Sequence, residues 1–175
     1  MVFEAVTNLA IMDGDASKVL PERCAAGSVA ELFINFPEPP LWSGGGGETK
    51  WHLLTAEFFD SVHRALTPGG MMTIYSDNLG YCKTLAQTLG EGGLFESVVV
   101  ACPAAEKDTP TGRWIHEKQP GGITVYGGYP GRDGGHISQQ TSYFDRFWDK
   151  GQKSRRYFIF VRRKGQSQGT GKVHS

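Results

Sequence analysis

The sequence predicts an α/β fold with a mostly parallel sheet. Short apolar runs rich in β-branched residues alternate with segments of helical period. Gly and Pro mark the connections between them. Two of the runs end in a carboxylate: Glu38 follows ELFINF and Asp77 follows MMTIYS. In open α/β sheets, ligands gather at the carboxyl ends of the strands. Two acidic groups delivered to that edge point to a site that handles positive charge.

The elements follow in order. Leu9 to Met12 is apolar and ends at Asp13-Gly14-Asp15, so it reads as a strand feeding a loop. Ala16 to Arg23 reads as a short helix. Ala30 to Phe36 reads as a buried strand, stopped by Pro37, Pro39 and Pro40, which cannot continue a ladder. Ser43 to Glu48 holds four consecutive glycines. The run GGGGETK lacks the G-x-x-x-x-G-K-[ST] spacing of a phosphate loop and follows prolines, so it reads as a flexible loop. Lys50 to Leu66 is the clearest helical pattern, with Trp51, Leu54, Phe58, Val62, Ala65 and Leu66 on one face. Thr67-Pro68-Gly69-Gly70 is expected to end it. Met71 to Tyr75 is the next strand and Asn78 to Leu89 the next helix. Phe95 to Ala101 is a valine-rich strand. Pro103 to Gln140 shows little periodicity, apart from a short strand at Ile123 to Tyr126. Tyr157 to Val161 is the last strand.

With 175 residues, 39% hydrophobic and 21% charged, the chain has the composition of a globular domain with a real core. Net charge is zero, so no global field draws it to nucleic acid. A local basic patch is offered by Lys150, Lys153, Arg155, Arg156, Arg162, Arg163 and Lys164. It reads equally well as a solvated strand edge and as an RNA-binding surface, with Arg155 and Arg156 as the phosphate contacts. Cys24, Cys82 and Cys102 show no paired spacing and read as reduced thiols. No run approaches a membrane span and the N-terminus lacks a signal-peptide pattern. The expected location is the cytoplasm or nucleus.

Four segments, in this order, resemble the tRNA (guanine-N7)-methyltransferase family, a branch of the class I S-adenosylmethionine-dependent methyltransferases. They are Gly14-Asp15-Ala16, FPEPP at Phe36 to Pro40, SDNLGY at Ser76 to Tyr81, and SYFDR at Ser142 to Arg146. The resemblance runs from about Leu9 to Lys164 and implies a Rossmann-like sheet. It implies that Asp15 and Ala16 bind the adenosine part of S-adenosyl-L-methionine, with Phe36 and Glu38 beside it. Glu38 takes the place of the active-site aspartate. Asp77, Ser142, Asp145 and Arg146 take the substrate-binding places, with tRNA as substrate. Taken one at a time, Asp15 and Asp77 read equally as helix N-caps and Asp145 as a surface charge.

The sequence departs from the family in three ways. Glu38 is one methylene longer than the usual aspartate. LWSGGGGETKWH replaces the basic run after the proline motif, with Trp42 where lysine is usual. The glycine-rich first βα turn and the ribose-holding acid after the second strand are absent from this sequence. The expectation is therefore the C-terminal portion of the fold over residues 1–164, with a disordered basic tail at 165–175. A missing N-terminal segment or a partner subunit would complete it, or the N-terminus repacks locally. The Leu9–Met12 strand would lack neighbours and the Ala30–Phe36 strand would become an edge. The isolated chain is expected to bind S-adenosylmethionine weakly. The rival readings are a non-catalytic relative that binds RNA or a protein, and a methyltransferase with another substrate.

Overall fold

The computed structural model describes residues 8–40, 52–100, 115–127 and 156–165. Three helices, α1 (Ala16–Arg23), α2 (Ala56–Ala65) and α3 (Leu79–Gly92), accompany six strands: β1 (Val29–Asn35), β2 (Leu66–Ser76), β3 (Phe95–Ser97), β4 (Ile115–Lys118), β5 (Thr124–Gly127) and β6 (Tyr157–Arg163). The sheet runs β1-β2-β6-β5-β4, and β3 also pairs with β6.

The class is α/β, as expected, but most of the described ladders are antiparallel. Only β1 and β2 run parallel, joined through α2. β6 returns antiparallel between β2 on one side and β3 and β5 on the other. The β4–β5 hairpin adds a further antiparallel ladder. For the β4–β5 pair the physical reason is connection length: a parallel pair needs a crossover, and the tight turn Gln119–Ile123 can only reverse the chain.

Local chemistry sets the element ends. The Asp15 side chain accepts the Ser17 N–H and starts α1, which matches the expected span. The Lys50–Leu66 helix is shorter than its apolar pattern, because Thr55 caps α2 by accepting the Phe58 N–H. Thr67 to Gly70 does not separate helix from strand. It lies inside β2 as an irregularity, between the pairings Val29↔Leu66 and Glu31↔Met71. Gly69 has φ +74. A Cβ on Gly70 would stand 2.9 Å from the Thr67 carbonyl oxygen, so the irregularity calls for glycine at both 69 and 70. Leu9 to Met12 forms no strand. Leu9, Ile11 and Met12 are exposed and no described ladder includes them. β1 pairs only with β2 among the described residues, so it stands at the sheet edge as expected. β4 was not foreseen.

Two apolar clusters cover the two faces of the sheet. Met72 and Ile74 of β2 and Ile159 and Val161 of β6 meet Phe58, Val62, Leu85 and Leu89 of the helices. The alternate residues Tyr75, Phe158 and Phe160 join Tyr126 and Val100 on the other face. This is the period-2 alternation of strands buried on both faces. Tyr126 stacks on Phe158 at 5.0 Å and anchors the neighbouring chain, donating its hydroxyl to the Val98 carbonyl at 2.9 Å. The Ser43–Glu48 loop and the tail from residue 166 lie outside the described residues.

Candidate functional site

Because β1 and β2 are parallel, the chain leaves both at one edge of the sheet. The Phe36 N–H donates to the Tyr75 carbonyl at 2.9 Å and ties the two ends together. Glu38 lies three residues beyond β1 and Asp77 directly follows β2. Both are exposed. The sheet thus delivers two carboxylates to one edge. Ser142, Asp145 and Arg146 lie outside the described residues.

Phe36 has φ +50, a left-handed conformation that is uncommon for a bulky side chain. Such a residue costs about 1–3 kcal/mol and persists only where its surroundings hold it. Here the Tyr75 carbonyl holds its N–H, and its ring packs against the aromatic cluster. The twist turns the chain sharply at the start of the Pro37-Glu38 segment.

Asp15 and Ala16 lie at the start of α1. Asp15 Oδ1 accepts the Ser17 N–H at 2.9 Å and the Ser17 hydroxyl at 2.7 Å. The hydroxyl and then the backbone N–H hold its carboxyl below the ordinary carboxylate range. Both bonds use one oxygen, and Oδ2 has no hydrogen bond among the described residues. Asp15 also lines a cavity of about 430 Å³ between the N-termini of α1 and α2, together with Ser17, His52, Thr55 and Glu57. A pocket of this size is in the range of small-ligand sites. Glu57 is held low by its own backbone N–H and then by the Thr55 hydroxyl.

His52 is the wall residue that sequence reasoning missed. It falls before the α2 cap, where no spacing rule marks it. Its Nδ1 accepts the Leu54 N–H at 3.1 Å. The Tyr81 hydroxyl lies 3.4 Å from both ring nitrogens. Burial lowers the His52 pKa. Burial also pushes the Tyr81 hydroxyl up, and raises the Cys82 thiol beside it to about 12, so that thiol stays protonated.

The basic patch is partly spent on the fold. Arg162 pairs with Glu96 at 2.9 Å. Arg163 donates to the Leu66 carbonyl, and Lys164 Nζ to the Gly93 carbonyl at 2.9 Å. Arg156 is 4% exposed, so it is no phosphate contact on the surface. The reason is its place at the start of the central strand. Lys150, Lys153 and Arg155 lie outside the described residues.

The histidines set a pH dependence of stability. Burial lowers the pKa of both His52 and His63, and Arg163 adds to the effect at His63. The unfolded chain therefore binds the proton more readily than the folded one. Stability is full above the ordinary value near 6.5 and falls as pH drops from there towards the lower folded values. Asp15 and Glu57 add a second loss at more acid pH, below the ordinary carboxylate range. Thermal melts between pH 7.5 and 5 should show the first loss. The His52→Gln, His63→Gln double variant should flatten it. A melting temperature that rises on acidification through this window would contradict the assignment.

No described helix is long and apolar enough to cross a membrane. The chain is similar to the tRNA (guanine-N(7)-)-methyltransferase of Paenarthrobacter aurescens (strain TC1), at 30% identity over 129 residues, covering 74% of this chain and 40% of that protein. It is 27% identical to the protein of the same name from Arthrobacter sp. (strain FB24), covering 74% of this chain and 38% of that one. For the protein of that name from Chloroherpeton thalassium (strain ATCC 35110 / GB-78), identity is 22% over 93% of this chain and 57% of that one. The chain thus spans about two fifths of the length of the first two relatives. The family described as "Putative methyltransferase" matches residues 1–116, about two thirds of the chain, and the chain belongs to that family of methyltransferases.

Proposed function

We propose that this chain serves the transfer of a methyl group from S-adenosyl-L-methionine to N7 of a guanine in tRNA, on a Rossmann-like sheet of which β1, α2 and β2 form part. The observation that carries the reading is the pair of exposed carboxylates, Glu38 and Asp77, leaving parallel strands at one edge in a member of a methyltransferase family. The names of the similar proteins supply the substrate. S-adenosyl-L-methionine supplies the methyl group on a cationic sulfonium. The Asp15 cavity suits its adenosine part, since Oδ2 is open to an amino or hydroxyl donor.

The side chains have simple tasks in this reading. Guanine N7 has an available lone pair in the neutral base, so no strong general base is required. Positive charge moves from the sulfonium to the base, and Glu38 stabilises it as a fixed anion at that edge. Asp77 accepts hydrogen bonds from the guanine N1–H and N2–H edge and makes N7 more electron-rich. Holding N7 in line with the methyl supplies further acceleration. Ser142, Asp145 and Arg146 are the remaining substrate contacts in this reading.

The test is transfer of a labelled methyl group to unmodified tRNA, with the donor at millimolar concentration to offset weak binding. Label at guanine N7 is expected, with loss of most of it in Glu38→Ala. If tRNA binds but stays unlabelled, the non-catalytic RNA-binding reading replaces this one. Label at another atom would make it a methyltransferase of different specificity.

A further inference from the structure

His52 touches two parts of the molecule that the proposed reaction keeps separate. It lines the cavity that Asp15 also lines. It also meets Tyr81, with ring centroids 5.3 Å apart and the hydroxyl 3.4 Å from both nitrogens. Tyr81 is 6% exposed, so its ring is fixed in the core. Its N–H donates to Asn78 Oδ1 at 3.0 Å, and the Asn78 N–H donates to Ser76 Oγ at 3.1 Å. Asp77 sits between those two residues. A continuous chain of contacts therefore runs from the cavity wall, through His52 and Tyr81, to the turn that carries Asp77.

We propose that His52 is a positioning residue: through the Tyr81 hydroxyl it holds the Asp77 turn in register with the cavity wall. The proposal rests on the methyl-transfer reading for its catalytic meaning, but its geometry can be tested without it. Because Nδ1 accepts the Leu54 N–H, the neutral ring carries its proton on Nε2, and the Tyr81 oxygen, equidistant from both nitrogens, packs against the ring between them. The same bond fixes the ring to its own chain just before the α2 cap, where Thr55 N–H donates to the Leu53 carbonyl at 2.9 Å. An imidazole held in this way has little freedom, which is what a positioning group requires.

The experiment uses the ¹⁵N-labelled chain with His52→Ala, His52→Gln and Tyr81→Phe, the last removing only the hydroxyl. His52→Ala and Tyr81→Phe should shift the same amide signals at Asp77 and Asn78. His52→Gln, which keeps an acceptor for the Leu54 N–H and much of the bulk that packs on Tyr81, should leave them near wild type. In methyl transfer to tRNA, His52→Ala and Tyr81→Phe should each lower kcat about tenfold while the donor KM stays within twofold. His52→Gln should restore at least half of kcat. Unmoved Asp77 and Asn78 signals overturn the proposal. So does a raised donor KM with intact kcat, which would make His52 a ligand contact. If His52→Ala fails to fold, Tyr81→Phe decides on the same two readouts. If the wild-type chain transfers no methyl group, the amide pattern still decides the positioning role, and only the proposed reaction fails.

Discussion

Gly121→Val is expected to destabilise the chain by roughly 3–5 kcal/mol, a large part of the 5–15 kcal/mol that holds a typical domain together. Two independent costs combine. Gly121 has φ +83, a conformation that a β-branched residue adopts only under strain of about 1–3 kcal/mol. A Cβ there would also stand 2.6 Å from Gly90 Cα and 2.8 Å from Gly90 C. Those atoms are backbone of α3, so no side chain can swing away, and overpacking costs a further 1–3 kcal/mol or so. The β4–β5 turn and α3 meet through two glycines because only hydrogen fits between them. Gly92→Ala is the control. It lies at the end of the same helix with nothing within 4 Å of the added Cβ, and should be neutral or stabilising by up to about 1 kcal/mol. Urea midpoints for the two variants should move apart. A Gly121→Val chain as stable as wild type would mean that the turn packs elsewhere.

Asp77→Ala should lower methyl transfer about ten- to a hundredfold, with little change in stability or in binding of the methyl donor. The structure makes this a clean substitution. Asn78, not Asp77, caps α3, since its side chain accepts the Tyr81 N–H. Removing the Asp77 carboxylate therefore removes no cap. Losing one charge-assisted contact to the base costs about 1.5–3 kcal/mol, and each 1.36 kcal/mol on the barrier is about tenfold in rate. A contact strongest in the transition state acts on kcat rather than on donor affinity. The comparison is Asp15→Ala, which loses the α1 cap as well and should lower the melting temperature. Steady-state kinetics and melts on both variants check this. Unchanged turnover in Asp77→Ala would remove guanine recognition from that residue.

Much of the fold was legible because local rules and tertiary contacts agreed. α1 is written in Asp15 and its Ser17 partner. The helix faces of α2 and α3 are written in their apolar periods, and the edge carrying Glu38 and Asp77 follows from a strand–helix–strand order. Misreadings arose where one local signal served another purpose. Pro68-Gly69-Gly70 reads as a helix terminator but forms a bulge inside β2. Leu9 to Met12 reads as a strand, yet an apolar run without a neighbouring ladder has no reason to stay extended. Ile115–Lys118 has only one β-branched residue and is a strand because β5 folds back on it. Capping at Asp15 was foreseen as an alternative and is observed. Capping at Asp77 is not. His52 had no signature at all, because its partners lie in α3 and in the loop beside it.

The place of β6 in the sheet affects how the chain can be made. It is the last described strand in sequence, yet it pairs with β2, β3 and β5. Its register with β2 joins Ser76 to Tyr157 and Met71 to Arg162, closing a long loop. On the ribosome, β1 and β2 can pair as soon as α2 has formed. The other edge of β2 then waits until β6 has left the exit tunnel. Non-local pairing of this kind is intrinsically slow. During that interval the apolar face of β2 is open to other nascent chains. Chaperone supply and translation speed between β2 and β6 should therefore influence how much of this protein reaches the folded state in a cell.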